Sequence, residues 1–201
     1  MKLFKNVLGP SQEEIWKQFA EDIDASYDNG SLVEAKKIIS KYAPWTITID
    51  TYTQSIGGKI NLTYTRFTSQ FINDEGFNFE IYRRNRFNNL GITIGMQDID
   101  IGYSDFDENF IIKGNDEQKI KELFSSDKIR ELISNQTNIK LKINDKGWFS
   151  DTPEGLDVLQ LETNAVVKDI YEFRELYMLF ILVLNKLSLM VPESDLEEKT
   201  Q

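Results

Sequence analysis

The fold is decided by residues 105–143, which read DFDENFIIKGNDEQKIKELFSSDKIRELISNQTNIKLKI. Residues 110–112 are a short apolar run, long enough for a buried strand and too short for a helix. Residues 139–143 alternate between isoleucine or leucine and lysine, which is typical of a half-buried strand. Between them the apolar residues have helical spacing, in two segments separated by Ser125 and Ser126. The stretch therefore predicts a strand–helix–helix–strand unit.

Local signals place the start of the first of these helices. Gly114 ends the preceding strand, and Asn115 is the predicted N-cap, with Gln118 in the capping-box position three residues later. Asp116 and Glu117 lie in the first turn, where the helix dipole favours negative charge.

Several segments of the chain resemble an uncharacterised bacterial single-domain family of about this length. They are FDENFIIKGND with the following helix KIRELI, and PWTITIDTYT, YTRF, GMQDIDIG and GWFSDTPEGLD. The resemblance covers most of residues 10–190 and implies one domain. It brings no catalytic residue with it.

The remaining periodicity predicts the rest of the fold. Residues 45–50, 60–65 and 77–82 alternate with period two and predict three strands of an antiparallel meander. Residues 159–167 alternate as a last strand. Amphipathic helices are predicted near both ends, from the N-cap Ser11 and over residues 170–187.

Together these elements predict an α+β domain over residues 1–191, followed by an acidic disordered tail at 192–201. Its mainly antiparallel sheet has about six or seven strands and is packed by the N- and C-terminal helices. Trp16, on the apolar stripe of the first helix, is expected in the core. Residues 32–42 suit either a helix or an edge strand, and helix propensity favours the helix.

Composition excludes several chemistries. The 201 residues contain no cysteine and no histidine, so thiolate nucleophiles, disulfides and histidine-based catalysis or metal binding are excluded. The net charge of −10 makes nucleic acid and anionic membranes poor partners, and the chain has no apolar run of membrane-spanning length. We expect a cytoplasmic protein without a cofactor.

Two groups of residues are candidates for ligand binding. The basic cluster Arg83, Arg84 and Arg86 suits an anionic ligand, although balancing neighbouring acidic residues at a strand end is the simpler interpretation. Trp148 and Phe149 lie in a predicted loop, where aromatic side chains either bind a partner or fold onto the sheet.

An acidic run supplies the candidates for metal chemistry. Asp98, Asp100 and Asp105 could hold a hard cation such as Ca²⁺ or Mg²⁺, and a carboxylate-dependent, metal-assisted hydrolase is one possible function. Their spacing matches no calcium-loop pattern, so solvated carboxylates beside core isoleucines are the simpler interpretation.

The function predicted from the sequence is non-catalytic binding of a protein or a small ligand. The last helix has an apolar surface wider than one packing stripe, so part of Leu176, Leu179 and Val183 is predicted to be left for a homodimer or a protein partner. An acidic inhibitor of a basic toxin, of the immunity-protein type, is the further alternative.

Overall fold

The computed structural model describes residues 10–31, 35–84, 97–144 and 155–190. These residues form five helices, namely α1 (Gln12–Asp22), α2 (Ser104–Asn109), α3 (Glu117–Leu123), α4 (Asp127–Asn135) and α5 (Ile170–Ser188). They also form nine strands, namely β1 (Ser26–Asp28), β2 (Lys37–Tyr42), β3 (Trp45–Ile56), β4 (Ile60–Ile72), β5 (Phe79–Arg83), β6 (Gln97–Asp98), β7 (Phe110–Gly114), β8 (Ile139–Asn144) and β9 (Leu156–Thr163).

The nine strands make one sheet in the order β1-β2-β3-β4-β9-β8-β5-β7-β6. Every neighbouring pair in that order is antiparallel. The predicted α+β class with an antiparallel sheet is therefore confirmed, with more strands than the six or seven expected.

One face of the sheet is apolar because its inward residues are in register from strand to strand. A single row of partners runs through Ile38, Ile49, Phe67, Leu161, Leu141, Ile81 and Ile112. All of these side chains are buried. Burying an apolar residue of this size contributes about 1.5–3 kcal/mol, so such a row fixes the register of the sheet.

The first and last helices pack on this apolar face, as predicted. Phe173 and Phe180 of α5 lie over Phe67 of β4, with ring centroids 6.4 and 6.0 Å away. Phe19 of α1 stacks on Phe173 at 4.6 Å. Trp16 is buried, and its indole N–H donates to the Val167 carbonyl at 3.1 Å, so its predicted place in the core is confirmed.

The start of α3 differs from the prediction by one residue. Its N-cap is Asp116, whose carboxylate accepts from the Lys119 amide at 3.0 Å. Asn115 instead accepts from the Asn78 amide and donates to the Gly76 carbonyl, each at 2.8 Å. These two bonds secure the chain between β4 and β5, and this long-range role outweighs the local capping preference.

Part of residues 32–42 is a strand, so the helix favoured there is wrong. Residues 37–42 form β2, which pairs with β3 along its whole length. Ile38 is buried on the apolar face of the sheet. Once β3 offers an edge, the β-branched isoleucines gain more from pairing and burial than from helix propensity. Residues 32–34 lie outside the described part.

Residues 77–82 were predicted as the third strand of a meander, next to the second, and this placement is wrong. β4 follows β3 in the sheet, but its other neighbour is β9, and β5 pairs with β7 and β8 instead. The turn after β4 is held by Asn73, whose side chain donates to the Phe77 carbonyl at 2.8 Å and accepts from the Phe77 amide at 3.0 Å. The last strand also ends at Thr163, short of the predicted residue 167.

Candidate functional site

The sheet opens between β3 and β4. Their ladder runs from Ile56, opposite Ile60, to Thr48, opposite Thr68, and ends there. The first residues of β3 remain paired with β2, and the last residues of β4 remain paired with β9. Because each strand keeps its outer neighbour while the two separate from each other, a gap forms inside the sheet.

This gap is a cavity of about 620 Å³, which we call the strand cleft. A volume of this size is typical of sites for small molecules. Its described lining residues are Pro44, Trp45, Thr46, Thr48, Thr68, Ser69, Gln70, Phe71, Ile72, Leu156, Val158 and Ser188.

Backbone groups on both walls turn toward the strand cleft. The Thr65 and Asn73 amides of the β4 segment donate to carbonyls on the β9 side, at 2.9 Å each. Backbone direction alternates along a strand, so Gln70 and Ile72 direct their N–H and C=O groups to the opposite side, toward β3. The same alternation turns the backbone of Thr46 toward the cleft from β3. These groups can form hydrogen bonds with a bound molecule.

The lining combines apolar surface with uncharged polar groups. Across the β2–β3 turn, the Trp45 ring stacks on Tyr42, with centroids 6.1 Å apart and planes 7° from parallel. None of the described lining residues is charged, although 28% of the whole chain is. The described walls therefore offer apolar contacts and neutral hydrogen-bonding groups.

Charged side chains occupy the next row of the same face. Arg66 of β4 binds Asp50 of β3 through two hydrogen bonds, of 2.9 and 2.6 Å. Glu162 of β9 accepts from the Tyr52 hydroxyl at 2.5 Å and from the Gln160 amide at 2.9 Å. Burial, and secondly the Glu162 carboxylate, raise the pKa of Tyr52 above its ordinary value.

The charged row continues across the sheet to β8 and β5. There Lys140 and Glu80, both buried, form an ion pair at 2.5 Å. A buried pair of this kind is costly to break because one partner would keep an uncompensated charge. The charges of this row thus stabilise one another.

The described part of the predicted arginine cluster has structural contacts. Arg83 donates to the carbonyls of Ser134 and Gln136, at 3.0 and 3.1 Å, and so caps the end of α4. Arg84 donates to the Asp107 carbonyl at 3.0 Å. Neither is among the described lining residues of the strand cleft. Arg86, Trp148 and Phe149 lie outside the described residues, and binding at the two predicted sites stays a prediction.

In the acidic run, Asp107 has a structural role. Asp107 accepts from the amides of Ile101 and Gly102, at 3.0 and 2.9 Å, and so fixes the loop before α2. Asp98 lies opposite Lys113 on the neighbouring strand, and Asp105 lies in the first turn of α2.

Asp100 lines a shallow surface cleft with Arg84, Gly102, Ser104, Asp107 and Glu108. Within the described ranges, no three histidine, cysteine or acidic side chains are grouped so that they could hold a metal ion.

The prediction that the last helix keeps part of its apolar surface free for a partner is wrong. Leu176, Leu179 and Val183 are all fully buried. The reason is that α5 contacts α1, α3 and α4 as well as β4, so its wide apolar surface is used within the fold. The exposed apolar side chains of α5 are Tyr171 and Met178, which are separated by seven positions.

The strand cleft was missed by sequence reasoning, although one signal was available. On the strands of residues 45–50 and 60–72, the outward positions Thr46, Thr48, Thr68 and Gln70 are polar and uncharged. The outward positions that follow toward the hairpin, Asp50 and Arg66, are charged. The four uncharged positions all line the strand cleft.

Comparisons with models of protein families, with curated proteins and with solved structures find no match. The resemblance stated from sequence segments therefore stays a prediction. In the described part of the chain, no helix has the length and apolarity needed to cross a membrane.

Proposed function

We propose that this chain is a non-catalytic binding domain for a small, uncharged and largely apolar molecule held in the strand cleft. The observation that supports it is the cavity of about 620 Å³ between diverging strands, whose described walls carry no charged side chain. A ligand placed there contacts Trp45, Phe71 and Val158 and forms hydrogen bonds with hydroxyl and backbone groups.

The chemistry of the walls favours binding over a reaction. Hydrolysis or acyl transfer needs a positioned base beside a nucleophile. The described nucleophile candidates of the cleft are serine and threonine hydroxyls, and its described lining supplies neither a carboxylate nor an amine to activate them.

The proposal is tested by titrating the full chain with a neutral apolar dye, Nile red, and following its fluorescence. The substitution Thr48→Phe places a ring in the cleft and should weaken dye binding by about tenfold or more, since the ring occupies the space of the ligand. An anionic dye, anilinonaphthalene sulfonate, should bind more weakly than Nile red because no cation lines the described walls.

The matched control is Thr53→Phe, which makes the same change on the same strand at an exposed position. It should leave Nile red binding unchanged. Equal loss in both variants, or no loss in Thr48→Phe while its denaturation curve stays that of the wild type, would count against the cleft as the binding site.

Two other functions predicted from the sequence stay predictions. They are the metal-assisted hydrolase and the acidic inhibitor of a basic toxin. A screen for metal-dependent turnover, compared between the wild type and Asp98→Asn, tests the first. Salt-sensitive capture of a basic nuclease tests the second, because attraction between opposite charges weakens as ionic strength rises.

A further inference from the structure

The β3–β4 hairpin extends beyond the rest of the sheet. On one side the pairing of β2 ends at Lys37, opposite Asp50, and on the other side the pairing of β9 ends at Thr163, opposite Thr65. The two strands nevertheless continue to Ile56, opposite Ile60. We call residues 51–64 the hairpin arm. Its β3 strand has six residues, 51–56, and at about 3.3 Å per residue the arm is about 20 Å long.

The sequence of the hairpin arm lacks the usual protection of a free strand edge. Its residues read TYTQSIGGKINLTY, with Lys59 in the turn as the single charged residue and no proline. Natural edge strands carry charges, prolines or bulges that prevent pairing with another chain. The β3 half of the arm instead consists of residues such as threonine, tyrosine and isoleucine that favour strands.

The β3 edge is the more accessible one. Thr53 and Gln54 are exposed, whereas their partners on β4, Thr63 and Leu62, are only partly exposed. The Thr65 amide donates to the β9 side, so the even-numbered residues of β4 exchange hydrogen bonds with their even-numbered partners on β3. Alternation therefore turns the backbone groups of the odd-numbered residues of β3 away from β4. The N–H and C=O groups of residues 51, 53 and 55 therefore point outward, and no described strand pairs with them.

We propose that this edge binds the same edge of a second copy of the chain, in antiparallel orientation about a two-fold axis at Thr53. Thr53 then lies opposite Thr53 of the second copy, and Thr51 lies opposite its Ser55. Antiparallel pairing of a strand with itself gives the self-complementary interface of a symmetric dimer. Pairs of threonine and serine across strands are favourable.

Charge favours a second copy at this place over association through the rest of the surface. The chain carries a net charge of −10, so two copies repel each other at close range. The hairpin arm brings uncharged strands together while it keeps the two acidic bodies apart. Its length of about 20 Å exceeds the screening length of about 8 Å at physiological ionic strength. The interface is small, so the dimer is a weak one.

The test is sedimentation velocity of the full chain over a range of protein concentrations. The wild type should shift from monomer to dimer as concentration rises. Thr53→Lys and Thr53→Glu each place like charges opposite each other at the axis and should weaken dimerisation by about fivefold. An equimolar mixture of the two variants should dimerise again, because lysine then lies opposite glutamate.

The matched control is Asn61→Lys, an exposed position on the other edge of the hairpin arm, which should dimerise like the wild type. Far-UV circular dichroism confirms that each variant is folded. A wild type that stays monomeric, a dimer that survives Thr53→Lys, or a mixture of variants that stays monomeric would each overturn the proposal. Nile red binding is measured separately at low protein concentration. The proposal of a ligand site in the strand cleft is therefore tested independently of dimerisation.

Discussion

The two ends of the β3–β4 pair differ in which strands their backbone groups pair with. At one end the strands separate from each other and keep their outer neighbours, which produces the strand cleft. At the other end they keep each other and lose their outer neighbours, which produces the hairpin arm. Both ends therefore have main-chain donors and acceptors that pair with no strand in the described part of the chain.

The surroundings decide what each set of groups can bind. In the strand cleft the backbone lies at the bottom of a cavity with aromatic and aliphatic walls, where a small molecule fits. On the hairpin arm the backbone lies along a straight and exposed edge, where another strand fits. The same lack of pairing thus supports two different proposals, a small-molecule site in the strand cleft and strand pairing at the hairpin arm.

The largest loss of stability is expected from a substitution in the middle of β4, between the strand cleft and the hairpin arm. Phe67 lies in the fully paired middle of β4, beneath Phe173 and Phe180. Phe67→Ala should lower the free energy of unfolding by about 3–5 kcal/mol, because it removes a fully buried ring and leaves a cavity. Urea denaturation followed by circular dichroism measures this loss.

The control for that variant is Ile60→Ala on the hairpin arm, where the side chain is 57% exposed. Its effect should stay within about 0.5 kcal/mol, as is usual for surface positions. Similar losses in both variants would show that the arm is as strongly coupled to the core as the middle of the strand is.

A smaller effect is expected at the base of the hairpin arm. Tyr52 stacks on Tyr64 with centroids 5.1 Å apart and donates its hydroxyl to Glu162. Tyr52→Phe keeps the ring and removes this hydrogen bond to a carboxylate, which should cost about 1.5–3 kcal/mol in urea denaturation at neutral pH. Tyr171→Phe, at an exposed phenol, is the matched control and should cost almost nothing.

The same tyrosine predicts a dependence on pH. Burial, followed by Glu162, raises the pKa of Tyr52 above 10.0 in the folded chain. The unfolded chain therefore releases this proton at a lower pH than the folded chain. The stabilisation is complete below about pH 10 and is lost as the pH rises further. The gap in stability between the wild type and Tyr52→Phe should narrow above about pH 10, and a constant gap would contradict this assignment.

The smallest global effect is expected at the tip of the hairpin arm. Gly57 has a φ of +58°, and an added Cβ would meet no other atom within 4 Å. Gly57→Ala thus adds only backbone strain, of about 1 kcal/mol. Because the arm can open without unfolding the core, the denaturation midpoint should hardly move. Hydrogen exchange of the arm amides should become about fivefold faster.

Gly57→Asn is the control for the tip, since asparagine tolerates positive φ better than alanine does. Its exchange rates should lie between those of the wild type and Gly57→Ala. A large loss of global stability in Gly57→Ala would mean that the arm unfolds only with the core, and the contrast between the two ends would be weaker than described.

Local patterns in the sequence predicted local structure well. Ser11 is the N-cap of α1 as predicted and forms a capping box with Glu14. The alternation of residues 139–143 correctly predicted β8 and its buried isoleucine and leucine side chains. These features depend on residues within one or two turns of each other, so the chemistry that fixes them is visible in a short stretch.

Partners that are distant in sequence were not predictable in this way. Alternation placed β5 as a strand but could not indicate that it pairs with β7 and β8. Arg83 was a candidate for ligand binding or for charge balance at a strand end, and the sequence could not indicate that its guanidinium group caps a helix that ends some fifty residues later. The strand cleft depends on where a ladder ends, which the patterns of β3 and β4 taken separately do not contain.

The position of β9 in the sheet has a consequence for how the chain is made. Among the described strands, β1 to β4 form one block and β5 to β8 form another, and β9 lies between β4 and β8. Both blocks leave the ribosome before residue 156 does. Until β9 emerges and joins them, each block is an incomplete sheet with an open apolar edge. The helix α5, which covers Phe67, is released later still. During synthesis the growing chain is thus most vulnerable to aggregation just before residues 156–188 emerge.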